Sequence, residues 1–360
     1  MTGLTGQTSS SASVLTAVLL SMAGVYFLQG ILAPLLLAVF LLVLVVDLTR
    51  LLKRAAPAAP PNLALGFSLV VIVAAFAVIV LIITDNLAGL LAEADKYTAR
   101  MDAILVEAGR ILGIRLAPSI ESLLRSVQTA EVAGTMINWL QGGLSAVTFV
   151  LIYLGFLIVS RVSFSRKLEA LRPKGEGAVD IDQILDRIQK AVHGYVRIQT
   201  VTGLMIAAAS WLVMAGLGLP QPVFWAFLIF VASYIPIVGG VAGVVVPAIF
   251  SLMVFDDIER PLILFAALMT IGFVVGNIIQ PRMQGVGLNL DPVIVLFSLA
   301  FWSVLLGATG AFLSTPLTVT AMAILAEFKT TRWLAVLLSS DGNPYPTKPR
   351  KIVRRTRVPV

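Results

Sequence analysis

The sequence predicts an all-α polytopic membrane protein with about eight membrane segments, two broken-helix hairpins in an inverted repeat and an extramembrane helical insert. Three observations predict it. Of the 360 residues, 58% are apolar and only 12% are charged, and the mean hydropathy is +0.97, a balance far from that of a soluble domain. The apolar residues come in separate runs near the roughly 20 residues with which a helix crosses a bilayer core of about 30 Å. The C-terminal half contains two similar stretches, each interrupted by proline and glycine.

Composition also narrows function. With no Cys and a single His, a disulfide framework, a zinc site of the Cys/His kind and a cysteine nucleophile are excluded. A hydrolase would need a paired nucleophile and base, and a zinc protease His-Glu-x-x-His, so no enzyme, catalytic residue, metal or cofactor is expected. The net charge of +7 is carried by loops and tail, where Lys and Arg mark the cytoplasmic side of a membrane protein, so nucleic acid is not an expected partner. Met1 to Ser13 lacks Lys and Arg and leads into an apolar run without a small-residue cleavage site, so the first helix is expected to be retained.

Residues 1–84 read as N-terminal membrane helices. Val14 to Leu28 and Ile31 to Leu52 flank Gln29-Gly30, a link short enough to predict a tight helical hairpin. Arg50, Lys53, Arg54 and a proline-rich turn follow, then a third span from Leu63 to about Thr84. Residues 85–138 hold five Lys/Arg against seven Asp/Glu, with apolar residues at helical spacing, and read as an extracytoplasmic amphipathic insert broken at Pro118. Its apolar stripe is expected to pack on its own helices or on a neighbouring subunit.

Residues 139–160 form the fourth membrane helix. Residues 161–197 read as a basic cytoplasmic loop, then a helix capped by Asp180 that lies along the inner membrane surface. His193, alone of its kind, reads as structural. Residues 327–360 are a basic cytoplasmic tail, expected to be disordered from Gly342 onward.

Residues 198–326 read as a duplicated transport core. Pro222-Val223 stands eighteen residues before Gly240, and Pro292-Val293 eighteen before Gly310; a single apolar span precedes each stretch. Pro222 to Val254 and Pro292 to Ala326 would each reach about 50 Å as one helix, against a core of about 30 Å. Breaks at Pro236, Gly239 and Gly240, and at Gly307, Gly310 and Pro316, therefore predict two helical hairpins. A span plus a hairpin leaves the chain on the opposite side, so consecutive units are inverted. The acidic connector from Asp256 to Arg260 fits outside, and the one containing Arg282 fits inside. Both apices are expected to face each other near mid-membrane, with valine at Gly240 or Gly310 crowding the approach.

Tyr234-Ile235-Pro236-Ile237-Val238-Gly239-Gly240 resembles the Tyr-Ile-Pro motif followed by glycine of the autoinducer-2 exporter family, also called PerM-like permeases. Asn277-Ile278-Ile279-Gln280-Pro281, then Gly285, Leu290, Pro292, Trp302, Gly307, Gly310 and Pro316-Leu317, is similar to the family's C-terminal pattern. The resemblance implies a multi-pass transporter of the inner (plasma) membrane. It exports a small signalling molecule in some members and exchanges sodium or lithium for protons in others.

The polar residues nearest the breaks, Ser233, Tyr234, Asn277, Gln280, Ser314 and Thr315, with Asp291 at the start of the second hairpin, complete the expected pathway for a small molecule or an ion. The alternative for each hydroxyl or amide is a bond to a neighbouring helix. Coupling to sodium or protons, a homo-oligomeric state of unknown number, and a non-transporting scaffold stay open.

Overall fold

The computed structural model describes residues 16–112 except 18 and 59, and residues 129–170, 181–284 and 289–344. Its architecture is helical throughout: α1 over residues 19–27, α2 Gln29–Ala55, α3 Pro61–Ala92, α4 Ala94–Leu112, α5 Thr129–Ala170, α6 Ile181–Leu217, α7 Pro222–Ala232, α8 Val238–Val254, α9 Glu259–Val274, a π-helical turn Val275–Ile279, α10 Gln280–Gln284, α11 Pro292–Glu327 and α12 Arg332–Leu338. Among the described residues five helices are long and apolar enough to cross a membrane, and shorter apolar helices cover Ser145–Ser160, Pro222–Ala232 and Val238–Val254.

At Gln29-Gly30 the expected tight hairpin is replaced by a bend. Leu28 donates to the carbonyl of Gly24 and accepts from Leu32 at 3.0 and 2.9 Å, the i to i−4 pattern of a continuing helix, while its own φ of −92° and ψ of 8° relax the path. Pro34, which has no N–H to return to residue 30, lies just beyond.

Three helices outrun the expected boundaries. The third span continues through Asp85 to Ala92, and the fourth continues through the basic residues to Ala170. The separate surface helix expected before the fifth span is instead one piece with it: α6 has 37 residues, about 55 Å. No proline or glycine pair interrupts residues 181–200, so hydrogen bonding carries the helix on. Asp180 and the second insert helix around Ile120 lie outside the described residues, as does the tail from 345.

The first three core helices are α2, α5 and α6, joined by Val45, Val150, Leu154, Tyr195 and Val196 in one buried cluster. His193 Nδ1 meets Asp47 Oδ1 at 2.9 Å and ties α6 to α2. Arg187 pairs with Glu327, linking the start of α6 to the end of α11. A second cluster gathers Met214, Trp225, Phe250, Leu264 and Leu268 from α6 to α9. The insert is docked on it: Tyr97 packs edge-on to Phe250 with ring centroids 5.3 Å apart, and Arg100 Nη2 donates to the carbonyls of Phe255 and Asp256 at 3.3 and 3.0 Å. The guanidinium thereby serves the orphan carbonyls at the end of α8.

Helix α9 runs antiparallel to α6. Gln280, just past its end, meets Gln199, while Leu264 and Leu268 pack in the cluster of Met214. The hairpin that follows α6 and the hairpin that follows α9 therefore start from opposite ends of this pair, the geometry of an inverted repeat.

Candidate functional site: a cavity at the first broken hairpin

Both broken stretches fold back on themselves. In the first, a Cβ placed on Gly243 would lie 3.5 Å from Ile229, fourteen residues earlier and about 21 Å away along an unbroken helix. In the second, Trp302 Nε1 donates to Thr318 Oγ1 at 3.0 Å across sixteen residues. Helix α7 has 11 residues, about 16 Å, half the thickness of a bilayer core. The first hairpin thus enters by a short arm.

Its apex is a tight reversal. Ile237 has φ 64° and ψ −53°, and Val238 N donates to Pro236 O at 2.6 Å, a γ-turn of the rarer, strained hand. Pro236 fixes the chain into this turn. Gly239 then passes so close that a Cβ would stand 1.8 Å from Ala232 O. In the second hairpin Gly307 takes the same φ of 64°, with ψ −145°, and Gly310 passes 1.8 Å, by its would-be Cβ, from Trp302 O. Ile237 and Gly307 are matched residues of the repeat, as are Ala232 and Trp302. The closing glycine is not: the second turn is one residue longer. Gly240, matched to Gly310 by sequence spacing, has nothing within 4 Å of its would-be Cβ, so the crowding expected there falls on Gly239 instead.

Free backbone groups at an unwound apex are costly in lipid, and here they are engaged. From Ile229 to Ile237 each carbonyl accepts a hydrogen bond, seven from nearby groups of the hairpin itself. The remaining two are served by α6: Gln199 Nε2 donates to Ser233 O at 2.5 Å, and Tyr195 OH to Tyr234 O at 3.2 Å. Thr200 Oγ1 and the Tyr234 hydroxyl are 2.7 Å apart. Gln280 Nε2 donates to Gln199 Oε1 at 3.1 Å. The π turn before it, with one more residue per hydrogen-bonded ring than an α-helix, closes with Gln280 N bonded to Val275 O.

Beside this apex lies a cavity of about 1080 Å³. Its lining runs between α6, the first hairpin and α9, from Ser210 past Gln199 and Gln280 to Asn289, Ser340 and Asp341; Ser340 and Asp341 are exposed, and we call this end the mouth. Of the residues expected from sequence, Ser233, Tyr234, Pro236, Gly239, Gly240, Asn277, Gln280 and Thr315 line it. Asp291, Gly307, Gly310, Ser314 and Pro316 do not. Asp291 instead caps α11, its Oδ1 accepting from Val293 N at 2.8 Å. Ser314 is fully buried and its hydroxyl donates to Ala311 O at 2.9 Å, the interhelical or local bonding that polar residues make in membranes. Asn277 donates to Phe273 O at 3.2 Å with its amide. Thr315 Oγ1 neighbours the Tyr195 phenol without a partner of hydrogen-bond geometry.

The two apices meet through side chains. Tyr234 stacks on Phe312 with centroids 4.8 Å apart, and Phe40 of α2 closes edge-on against both. Sequence reasoning missed Tyr195, Gln199 and Thr200, because residues 181–195 pattern as a surface helix. The available signal was Gln199-Thr200, an amide and a hydroxyl at the start of an apolar run.

At the mouth, residues 289–291 and 338–343 form a clasp. Asn289 Nδ2 donates to Asp341 Oδ1 and Asn343 O at 2.7 and 2.6 Å, Ser340 Oγ donates to Asn289 Oδ1 at 2.5 Å, and Leu290 bridges Ser339. The Asn289 amide, followed by the backbone N–H of Asn343, holds the exposed Asp341 carboxyl below the usual carboxylate range.

Two broken hairpins in opposed orientation, the first unwound where it borders a cavity, are the architecture of a polytopic membrane transporter. The AI-2E family transporter model matches residues 15–330, and the chain belongs to that family. It is 26% identical over 323 residues to AI-2 transport protein TqsA of Escherichia coli (strain K12), covering 88% of this chain and 92% of TqsA. It is 25% identical over 336 residues to YhhT of the same strain, covering 92% and 94%, and 32% identical over 154 residues to a Haemophilus influenzae relative, covering 43% and 44%.

Proposed function

We propose that this transporter exports a small polar signalling molecule of the AI-2 kind across the inner membrane, through the cavity beside the first hairpin. The observation that carries the reading is the chemistry of the cavity wall: amides, hydroxyls and apolar side chains, with Asp341 at the mouth as its one carboxylate among the described residues. Such a wall matches hydroxyl and carbonyl groups of a solute without requiring it to be charged. The carbonyls of the first apex, candidate ligands of a bare sodium ion, each accept a hydrogen bond and so have one lone pair fewer to offer it. The likeness to TqsA supports the same reading. The mouth at Asn289 and Asp341 lies on the face that the Lys and Arg of the loops mark as cytoplasmic, so solute enters from the cell interior.

Proteoliposomes made with the purified protein test this. AI-2 trapped inside or outside is followed with sodium and proton gradients imposed separately. Protein-dependent AI-2 movement is expected. Sodium or proton flux with no AI-2 movement would overturn the reading in favour of ion exchange, and no flux of either would favour a scaffold.

A further inference from the structure

The two halves of the repeat are joined at one point by a chain of amides. Gln280, beyond the π turn of the second span, donates to Gln199 on the first span, and Gln199 donates to Ser233 O at the first hairpin's apex. Gln199 is only 7% exposed, so its side chain has little water to fall back on, and both of its polar ends are used. An amide offers one carbonyl and one NH2, and here each is bonded to a different repeat. The position matters as much as the bonding. Along α6 the cavity is lined by Gln199 near the mouth and Ser210 about three turns deeper, and the Gln199–Gln280 bond crosses the space between α6 and α10 on the mouth side of Ser210.

We propose that Gln199 is a positioning residue that latches the apex of the first hairpin to the second repeat, and that breaking its bond to Gln280 opens the cavity from the mouth to Ser210. The inference rests on the cavity being the solute path. Three features of the latch suit a reversible device. Its link between repeats is a single neutral hydrogen bond, weak enough to exchange for a bond to water or solute. Ser233 O keeps a donor from Gln199 when Gln280 leaves, so opening does not strand a backbone group in the membrane. The π turn that presents Gln280 is a local irregularity of α9, and reverting it to α-helical geometry would rotate Gln280 away.

The test uses the absence of native cysteine. Ser210→Cys is introduced in the full chain, and its labelling by a membrane-impermeant maleimide is timed from each face of sealed vesicles. Gln280→Leu removes the link between repeats and spares the bond to Ser233, whereas Gln199→Leu removes both. Gln280→Leu is expected to raise labelling from the mouth face about fivefold, the population shift that one neutral hydrogen bond supports, with no rise from the opposite face. Gln280→Lys, whose ammonium can donate to Gln199 Oε1 and leaves the bond from Gln199 to Ser233 O intact, should return the rate toward that of the parent. Unchanged labelling in a monodisperse Gln280→Leu variant would overturn the latch, and so would an equal rise from both faces, which marks general loosening. Failure to label Ser210→Cys in parent and variants alike would remove the cavity from the path and the latch with it. Because labelling needs no solute, a negative AI-2 assay and a failed latch are read separately.

Discussion

Two adjacent glycines of the first hairpin should respond to alanine with opposite signs. At Gly239 the new methyl would lie 1.8 Å from Ala232 O, 2.5 Å from Ala232 C and 3.0 Å from Ser233 Cα. All three are backbone atoms, so no rotamer change relieves the clash, and the hairpin arms must part by more than an ångström. Overpacking of this kind costs about 1–3 kcal/mol, and contact with fixed backbone puts it at the upper end. At Gly240 a methyl meets nothing within 4 Å. The residue lies in α8, where alanine in place of glycine gains about 0.5–1 kcal/mol. The neighbours thus differ by roughly 2–4 kcal/mol. Each variant, solubilised in mild detergent, is heated through a temperature series and the surviving monodisperse fraction measured. Gly239→Ala should fail well below the parent, Gly240→Ala at or above it, and Gly310→Ala should follow Gly239→Ala, since Trp302 O lies 1.8 Å from its would-be Cβ. Equal stability of the two neighbours would refute the close-approach reasoning.

Other outcomes can be checked independently. An impermeant maleimide outside intact cells should label Arg110→Cys and not Ala170→Cys; the reverse would invert the proposed topology. Arg100→Ala should free the insert from the end of α8, removing charge-assisted bonds to Phe255 O and Asp256 O worth about 1.5–3 kcal/mol, and limited proteolysis between α4 and α5 should speed up. The Tyr97 phenol is pushed up to about 12 by burial, then by its hydrogen bond to Glu93 and the charge there. A raised acid pKa stabilises the docked insert fully below the ordinary value of 10.0 and loses that contribution as pH rises toward 12, so alkaline release of the insert should be flattened in Tyr97→Phe. The Asp341 carboxyl, held low by Asn289, contributes to the clasp above the ordinary carboxylate range and stops doing so on acidification below it. Backbone hydrogen exchange at residues 340–343 should speed up at low pH, and at neutral pH in Asp341→Ala.

Much of the architecture was legible because hydrophobic length and helix-breaking residues act locally. Pro236 has no N–H to continue a helix and Gly307 takes a left-handed φ, while the equal spacing from Pro222 to Gly240 and from Pro292 to Gly310 exposed both hairpins. What stayed hidden was set by contacts distant in sequence. Tyr195 and Val196 of α6 are buried with Val45 of α2, a contact that the pattern of residues 181–195 does not reveal. Gln199 gains its importance from Ser233 and Gln280, 34 and 81 residues away. The π turn leaves no mark in residue type, and a one-residue difference in turn length moved the tight glycine from Gly240 to Gly239.

The matched apex residues Ile237 and Gly307 share a φ of 64° but carry unequal burdens. Glycine adopts that angle freely, whereas a β-branched residue held there stores about 1–3 kcal/mol. The first hairpin is therefore a cocked spring and the second an unloaded one, with Tyr195 and Gln199 as the catch that holds the spring set. Strain of that size equals roughly a 5- to 150-fold bias between two shapes. A repeat that is symmetric in its spacing is thus asymmetric in its energy: opening the first apex recovers strain that opening the second does not.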